Sequence, residues 1–191
     1  MNDIILDEKR AARQELNDAI KALSVEYLSE SDKGIRENLL AMPEFARADV
    51  ILFYFSIGRE PDTHELIHSA FGMGKTVALP VTMPDGSMTA RIVNDVTSLS
   101  IRNLGIPEPD DTRPPLLPEE IDLIVVPAVA FDRRGYRLGR GGGFYDRYLA
   151  RTSGCSVGLA REGLLRDCVP VEPHDMAVDC VVTERGVLRL K

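Results

Sequence analysis

The segment FDRRGYRLGRGGGFYDRYL, Phe131 to Leu149, holds the densest collection of groups able to handle an anion. Gly139, Gly141, Gly142 and Gly143 fall within five residues, directly before a helical pattern. A stretch so poor in side chains lets backbone amides approach a phosphate, and a helix N-terminus adds partial positive charge. Arg137 and Arg140 bring guanidinium groups shaped for bidentate phosphate contacts. Asp146, just inside the helix, offers a carboxylate that can hold Mg²⁺ beside phosphate. Phe144 and Tyr145 offer flat faces for a ring system. The competing reading is a flexible surface loop ahead of a helix with solvated charges. Two arginines among four glycines after a buried strand favour function.

Two other fragments point elsewhere. HELIH, His64 to His68, has the form H-E-x-x-H of a zinc hydrolase, with Glu65 as base. It lacks a third ligand in the metzincin positions, where Phe71 and Gly74 stand, and His174 is the one remaining histidine. GMGKT, Gly72 to Thr76, resembles the end of a P-loop, but Ser69 occupies the place of the first glycine. The element order is also reversed, with a helix before the glycines and a strand after Lys75. Both fragments read better as parts of an ordinary helix and its glycine stop.

The elements that must position these groups belong to an α/β fold. The 191 residues, 44% hydrophobic and 28% charged, suit one domain, residues 1–191, with a full core. Leu6 to Leu28 has the spacing of an amphipathic helix, and Asp32 to Met42 that of a second. DVILFYF (Asp49 to Phe55) and IDLIVVP (Ile121 to Pro127) are continuous apolar runs of strand length, the pattern of buried parallel strands. Asp62 and Thr63 can cap a helix ending near Gly72 or Gly74. TVALPVT, MTARIV, CSVGLA and DCVVTE complete the strands. The proline-rich, acidic NLGIPEPDDTRPPLLPEE reads as an ordered surface connection. Alternating strands and helices predict a mainly parallel sheet flanked by helices, with the ligand site at the carboxyl ends of the strands, after Phe55 and Pro127.

Charge and cysteines narrow the class. The net charge of −7 argues against a broad nucleic-acid face. Apolar runs are too short to span a bilayer, and the N-terminal MNDIILDEKRAARQEL has no signal-peptide pattern. Cys155, Cys168 and Cys180 are odd in number and scattered, which favours a reducing cytoplasm.

VVPAVAFDRRGYRLGRGGGFYDRYL closely resembles the signature of the 5-formyltetrahydrofolate cyclo-ligases, also called methenyltetrahydrofolate synthetases. KRAAR (Lys9 to Arg13), FSIGREPDT (Phe55 to Thr63), GKTVALP, IPEP (Ile106 to Pro109) and PHDMAVD (Pro173 to Asp179) resemble the same family in the same order. Nearly the whole chain is covered. The resemblance implies an ATP- and Mg²⁺-dependent closure of 5-formyltetrahydrofolate to 5,10-methenyltetrahydrofolate, with ADP and phosphate released, by a cytoplasmic monomer. Rival readings are a reduced-folate-binding protein without turnover, and another ATP or sugar-phosphate enzyme on the same scaffold.

Carried over by position, the resemblance makes Arg137 and Lys9 catalytic. Lys9 and Arg13 reach the ATP phosphates, and the loop from Arg137 through Leu138, Gly139, Arg140 and Gly141 to Tyr145 holds the nucleotide. Read alone, Lys9 and Arg13 are two cations on one face of a solvated helix. Phe55, Glu60, Arg140, Gly141, Gly142, Gly143 and Phe144 border the folate, with Glu60 accepting from pterin N–H groups. Asp146 and Asp175 match the Mg²⁺ carboxylates, although Asp175 alone reads as a turn residue. The chain departs from the family at Phe144, where a tyrosine is usual, and at Arg140, where aromatic residues also occur.

Overall fold

The computed structural model describes residues 2–102, 105–110, 112 and 114–190. The helix expected over Leu6 to Leu28 is divided into α1 (Asn2–Ala22) and α2 (Val25–Leu40). Ser24 makes the break: its hydroxyl accepts the Tyr27 N–H at 3.1 Å and caps α2. The second expected helix, Asp32 to Met42, is therefore the end of a longer one. A short α3 (Pro43–Arg47) leads into β1 (Val50–Leu52), fewer residues than the apolar run suggests. Beyond Leu52 the chain leaves the sheet to build the site.

Helix α4 (His64–Gly72) connects β1 to β2 (Thr76–Thr82), which turns back into β3 (Met88–Val93). The acidic connection carries a small ribbon, β4 (Ser100–Ile101) with β5 (Pro107–Glu108). Its residues Asn103, Leu104, Asp111 and Arg113 lie outside the described residues. Then follow β6 (Leu123–Val126), the hairpin of β7 (Ala130–Phe131) and β8 (Arg137–Leu138), and α5 (Phe144–Leu149). Strands β9 (Cys155–Leu159), β10 (Cys180–Thr183) and β11 (Gly186–Arg189) end the fold, β11 being a hairpin partner absent from the sequence expectation.

The main sheet has the order β11-β10-β9-β6-β1-β2-β3. The pairs β2–β1, β1–β6, β6–β9 and β9–β10 are parallel, and the strands at each edge are antiparallel. This is the expected α/β domain with a mainly parallel sheet. From β1 the chain moves one way to β2, and from β6 the other way to β9. The loops after β1 and β6 therefore diverge and leave a crevice between adjacent strands, the usual ligand position in such sheets.

Alternation along the strands decides which helix covers which face. Ile51, Phe53, Val77, Leu79, Leu123 and Val125 point into one layer with Ile35 and Leu39 of α2 and Leu66 and Ile67 of α4. Leu52, Ala78, Ile124, Val126 and Val181 point into the other, with Phe131 and with Tyr148 and Leu149 of α5. A third cluster seats α1 through Leu16 on Ala130 and Leu138 of the β7–β8 hairpin. That contact carries the N-terminal cations to the glycine loop.

Gly158 on β9 is a point of close approach. A Cβ there would stand 2.4 Å from the fully buried Phe131 ring. Gly158→Ala is expected to lower stability by about 1–3 kcal/mol, since a packed ring has nowhere to move. A urea melt reads the change, and an unaltered midpoint would mean that the ring gives way.

Candidate active site

One cleft of about 440 Å³ opens at the carboxyl ends of β1, β2 and β6. Among its walls are Lys9 and Arg13 of α1, Phe55 and Glu60 after β1, and the whole stretch from Arg137 to Asp146. Asp175 joins from the segment before β10. Every residue that the family resemblance assigns to nucleotide, folate or Mg²⁺ thus borders a single space, although they come from four separate stretches of chain.

The glycine loop earns its composition at two positions. Gly141 and Gly143 adopt φ of 101° and 64°, a region that side chains avoid. Gly143 is the residue ahead of α5 and offers no side-chain cap. Helix α5 has only six residues, so its dipole contributes less than a long helix would. An anion held here would depend mainly on the loop amides and on cations from elsewhere. Arg13 reaches the loop directly, donating Nε–H to the Gly139 carbonyl at 2.8 Å.

Lys9 is buried despite its charge. Its ammonium donates to Asp175 at 2.6 Å and Glu172 at 2.8 Å. Burial by itself pulls the Lys9 pKa down, but the two carboxylates outweigh it and hold the group above its ordinary value. Glu172 has no role in the sequence reading, and the sole signal for it was its place two residues before His174 in EPHDM. Ligand atoms of Glu172, His174 and Asp175 lie within 4.8 Å of one another. Carboxylate oxygens of this kind suit a hard divalent cation such as Mg²⁺.

Arg137 is the second buried cation. It donates to Asp146 Oδ1 at 2.5 Å and to the Met176 carbonyl at 2.7 Å, and Asp146 Oδ1 also accepts the Met176 N–H at 3.0 Å. Burial lowers the guanidinium pKa while Asp146 and Asp175 oppose the shift; arginine stays charged throughout the working range. The hydroxyl of Tyr145 is buried and has no partner among the described residues, and burial, helped by the Glu60 charge, pushes its pKa up. It remains neutral, and the residue lines the same space.

On the β1 side, Glu60 is held at both oxygens. Arg140 binds Oε1 at 2.7 Å and the Ile57 N–H binds Oε2 at 3.0 Å. Below this turn lies Arg161, only 2% exposed, paired with Asp32 at 2.8 Å and donating to the carbonyls of Arg59 and Glu60. This arginine, which sequence patterns gave no reason to select, anchors the Glu60 turn to α2.

The two misleading motifs take ordinary places. His64 stacks on Phe55 with ring centroids 4.2 Å apart, and His68 is exposed. Asp62 accepts the His64 N–H, and Thr63 is the residue preceding the helix. Lys75 turns away from the cleft and donates to the Ala46 and Ala48 carbonyls at the end of α3.

Buried cations held by carboxylates, a glycine loop and an apolar recess make a site that can bind a polyphosphate and an uncharged ring system together. Comparison with known proteins gives a family. The model of the 5-formyltetrahydrofolate cyclo-ligase family matches residues 5–184. The 5-formyltetrahydrofolate cyclo-ligase of Escherichia coli K12 is 34% identical over 173 residues, covering 87% of this chain and 95% of that protein. The enzyme of the same name from Mycolicibacterium smegmatis is 36% identical over 149 residues, covering 72% of this chain and 75% of its own. Among solved structures, 5,10-methenyltetrahydrofolate synthetase of Aquifex aeolicus superposes with a TM-score of 0.84 at 33% identity. It covers 96% of this chain and 93% of that one.

Proposed function

Since the chain belongs to the 5-formyltetrahydrofolate cyclo-ligase family, we propose that residues 1–191 form one cyclo-ligase domain that uses ATP and Mg²⁺ to close 5-formyltetrahydrofolate to 5,10-methenyltetrahydrofolate. The γ-phosphoryl group passes to the formyl oxygen. N10 then attacks the formyl carbon, the carbon–oxygen bond breaks, N10 loses its proton, and phosphate departs alongside ADP. An amide-like oxygen leaves poorly and a phosphate leaves well, so the protein's task is positioning and charge neutralisation.

The observation that carries this reading is the meeting of Lys9, Arg13, Arg137 and the Gly139–Gly143 loop on one cleft, with carboxylates beside them. Lys9 and Arg13 hold the polyphosphate from α1, and the loop from Leu138 through Tyr145 supplies amides and arginine donors. Arg137 stabilises charge on the phosphoryl group in transit. Asp146 and Asp175, with Glu172 adjoining, hold Mg²⁺, which when bound neutralises phosphate charge. Phe55, Glu60 and the Arg140–Phe144 segment border the folate. Phe144 keeps the flat face that a tyrosine would give and lacks its hydroxyl.

The described residues include no helix long and apolar enough to cross a membrane, and the three cysteines are free. Free cysteines suit a reducing cytoplasm, and the net charge of −7 suits small-molecule substrates rather than nucleic acid; on this reading the protein acts as a monomer.

Purified protein mixed with MgATP and 5-formyltetrahydrofolate tests the reading. Methenyl product, followed by its near-ultraviolet absorbance, should appear in equal amount with ADP. Tight folate binding without either product would replace the reading with a binding protein, and absence of any folate interaction would remove the substrate.

A further inference from the structure

Glu108 sits in β5 and lines the cleft, yet it is only 2% exposed. Its Oε1 accepts two hydrogen bonds from Thr82 at the end of β2, from Oγ1 at 2.6 Å and from the backbone N–H at 3.2 Å. Its Oε2 is buried and has no donor among the described residues. A carboxylate only accepts, and a buried oxygen without a donor is strongly disfavoured. A ligand bearing an N–H group is the partner that a cleft-lining position makes available.

The chemistry of the wall selects the ligand. Around Glu108 the cleft is lined by Pro80, Met88, Ile106 and Pro107, an apolar surface with no cation among these described residues. The phosphate-binding cations come from α1 and from the loop after β6, whereas this wall is built by β2, β3 and β5. Adenine offers one amino group flanked by acceptor nitrogens, which a carboxylate repels. A reduced pterin offers a ring N–H and an amino group side by side, which a carboxylate matches. Glu60, an acid on the β1 side of the cleft, already has both oxygens engaged by Arg140 and Ile57.

We propose, resting on the cyclo-ligase reading, that Glu108 is a specificity-determining residue that accepts a hydrogen bond from the donor edge of the pterin. Thr82 makes it selective. By holding Oε1 with two donors it fixes the carboxylate and leaves Oε2 for the ligand. A site built around such an acceptor discriminates against rings that lack the donor.

Glu108→Gln tests this with little threat to the fold. The Thr82 donors keep the amide oxygen on their side, so the amide NH₂ faces the ligand and meets its N–H groups donor to donor. KM for 5-formyltetrahydrofolate should rise roughly tenfold or more while KM for ATP stays within about twofold. An unchanged folate KM, or a rise in the ATP KM alone, would overturn the assignment. If wild-type protein shows no turnover, the cyclo-ligase reading fails separately. Calorimetric titration of both proteins with 5-formyltetrahydrofolate still decides the role of Glu108: weaker binding by the variant supports it and equal binding overturns it. Should the variant melt far below wild type, the wild-type protein is titrated with an analogue carrying methyl in place of the pterin amino group. Weakened binding then supports the inference, and undiminished binding rejects it.

Discussion

Arg137→Ala is expected to lower kcat by roughly a thousandfold, the scale seen when a buried cation is removed from a phosphoryl-transfer site. The side chain is buried and its fork is already oriented by Asp146 and the Met176 carbonyl, so it stands ready without reorganisation. Its charge acts on the phosphoryl group in transit more than on bound ATP. The fall should therefore appear mainly in kcat, with a smaller change in KM for ATP. The ion pair with Asp146 and the bond to the Met176 carbonyl also fasten the β8 strand to α5 and to the segment before β10, so the variant should melt several degrees lower while remaining folded. Arg137→Lys restores the charge without the fork and should recover only part of the rate. Steady-state kinetics with a thermal melt separates the two effects, and near-wild-type kcat in a folded Arg137→Ala protein would remove the residue from the mechanism.

Lys9→Met is the second large effect, and it acts on stability and turnover together. Without the ammonium, the buried Glu172 and the half-buried Asp175 face each other as two carboxylates without their shared cation. Stability should drop by about 3 kcal/mol, the usual result of leaving buried charges unpaired, and turnover by roughly a hundredfold. Adding Glu172→Gln to Lys9→Met removes the repulsion. The double variant should regain stability and stay slow, which distinguishes a phosphate contact from a structural one. Recovery of rate with stability would show that Lys9 serves the fold alone. The pH dependence has a definite sign. Because the folded pKa of Lys9 lies above the ordinary 10.5, its contribution is complete below 10.5 and disappears only as pH climbs through the higher folded value. The stability gap between wild type and Lys9→Met should therefore vary little with Lys9 titration near neutral pH.

Much of this arrangement is legible in the chain, and the parts that are not share a cause. β6 and β2 declare themselves because both of their faces are buried, which requires continuous apolar residues. β11 is half exposed and short, so its pattern is weak. The division between α1 and α2 depends on one serine hydroxyl acting on a backbone amide, a local event that hydrophobic spacing does not register. The glycine loop is visible because its composition is itself the requirement for positive φ and for close approach. Lys9 looks like any surface lysine in sequence, since its burial depends on Glu172, 163 residues away. Glu108 is hidden likewise, its position set by Thr82 across the cleft wall and its importance by an oxygen that no local pattern reveals. Partners brought together by the fold are what a linear reading loses.

The central claim is that phosphate carries away the formyl oxygen. 5-Formyltetrahydrofolate labelled with ¹⁸O in the formyl group, turned over once with MgATP, tests it by ³¹P NMR of the released phosphate. One ¹⁸O atom should appear in each phosphate, seen as an isotope-shifted resonance, with none in ADP. Unlabelled phosphate, with the ¹⁸O recovered in water, would mean that ATP is hydrolysed apart from ring closure and would contradict the mechanism assigned to this site.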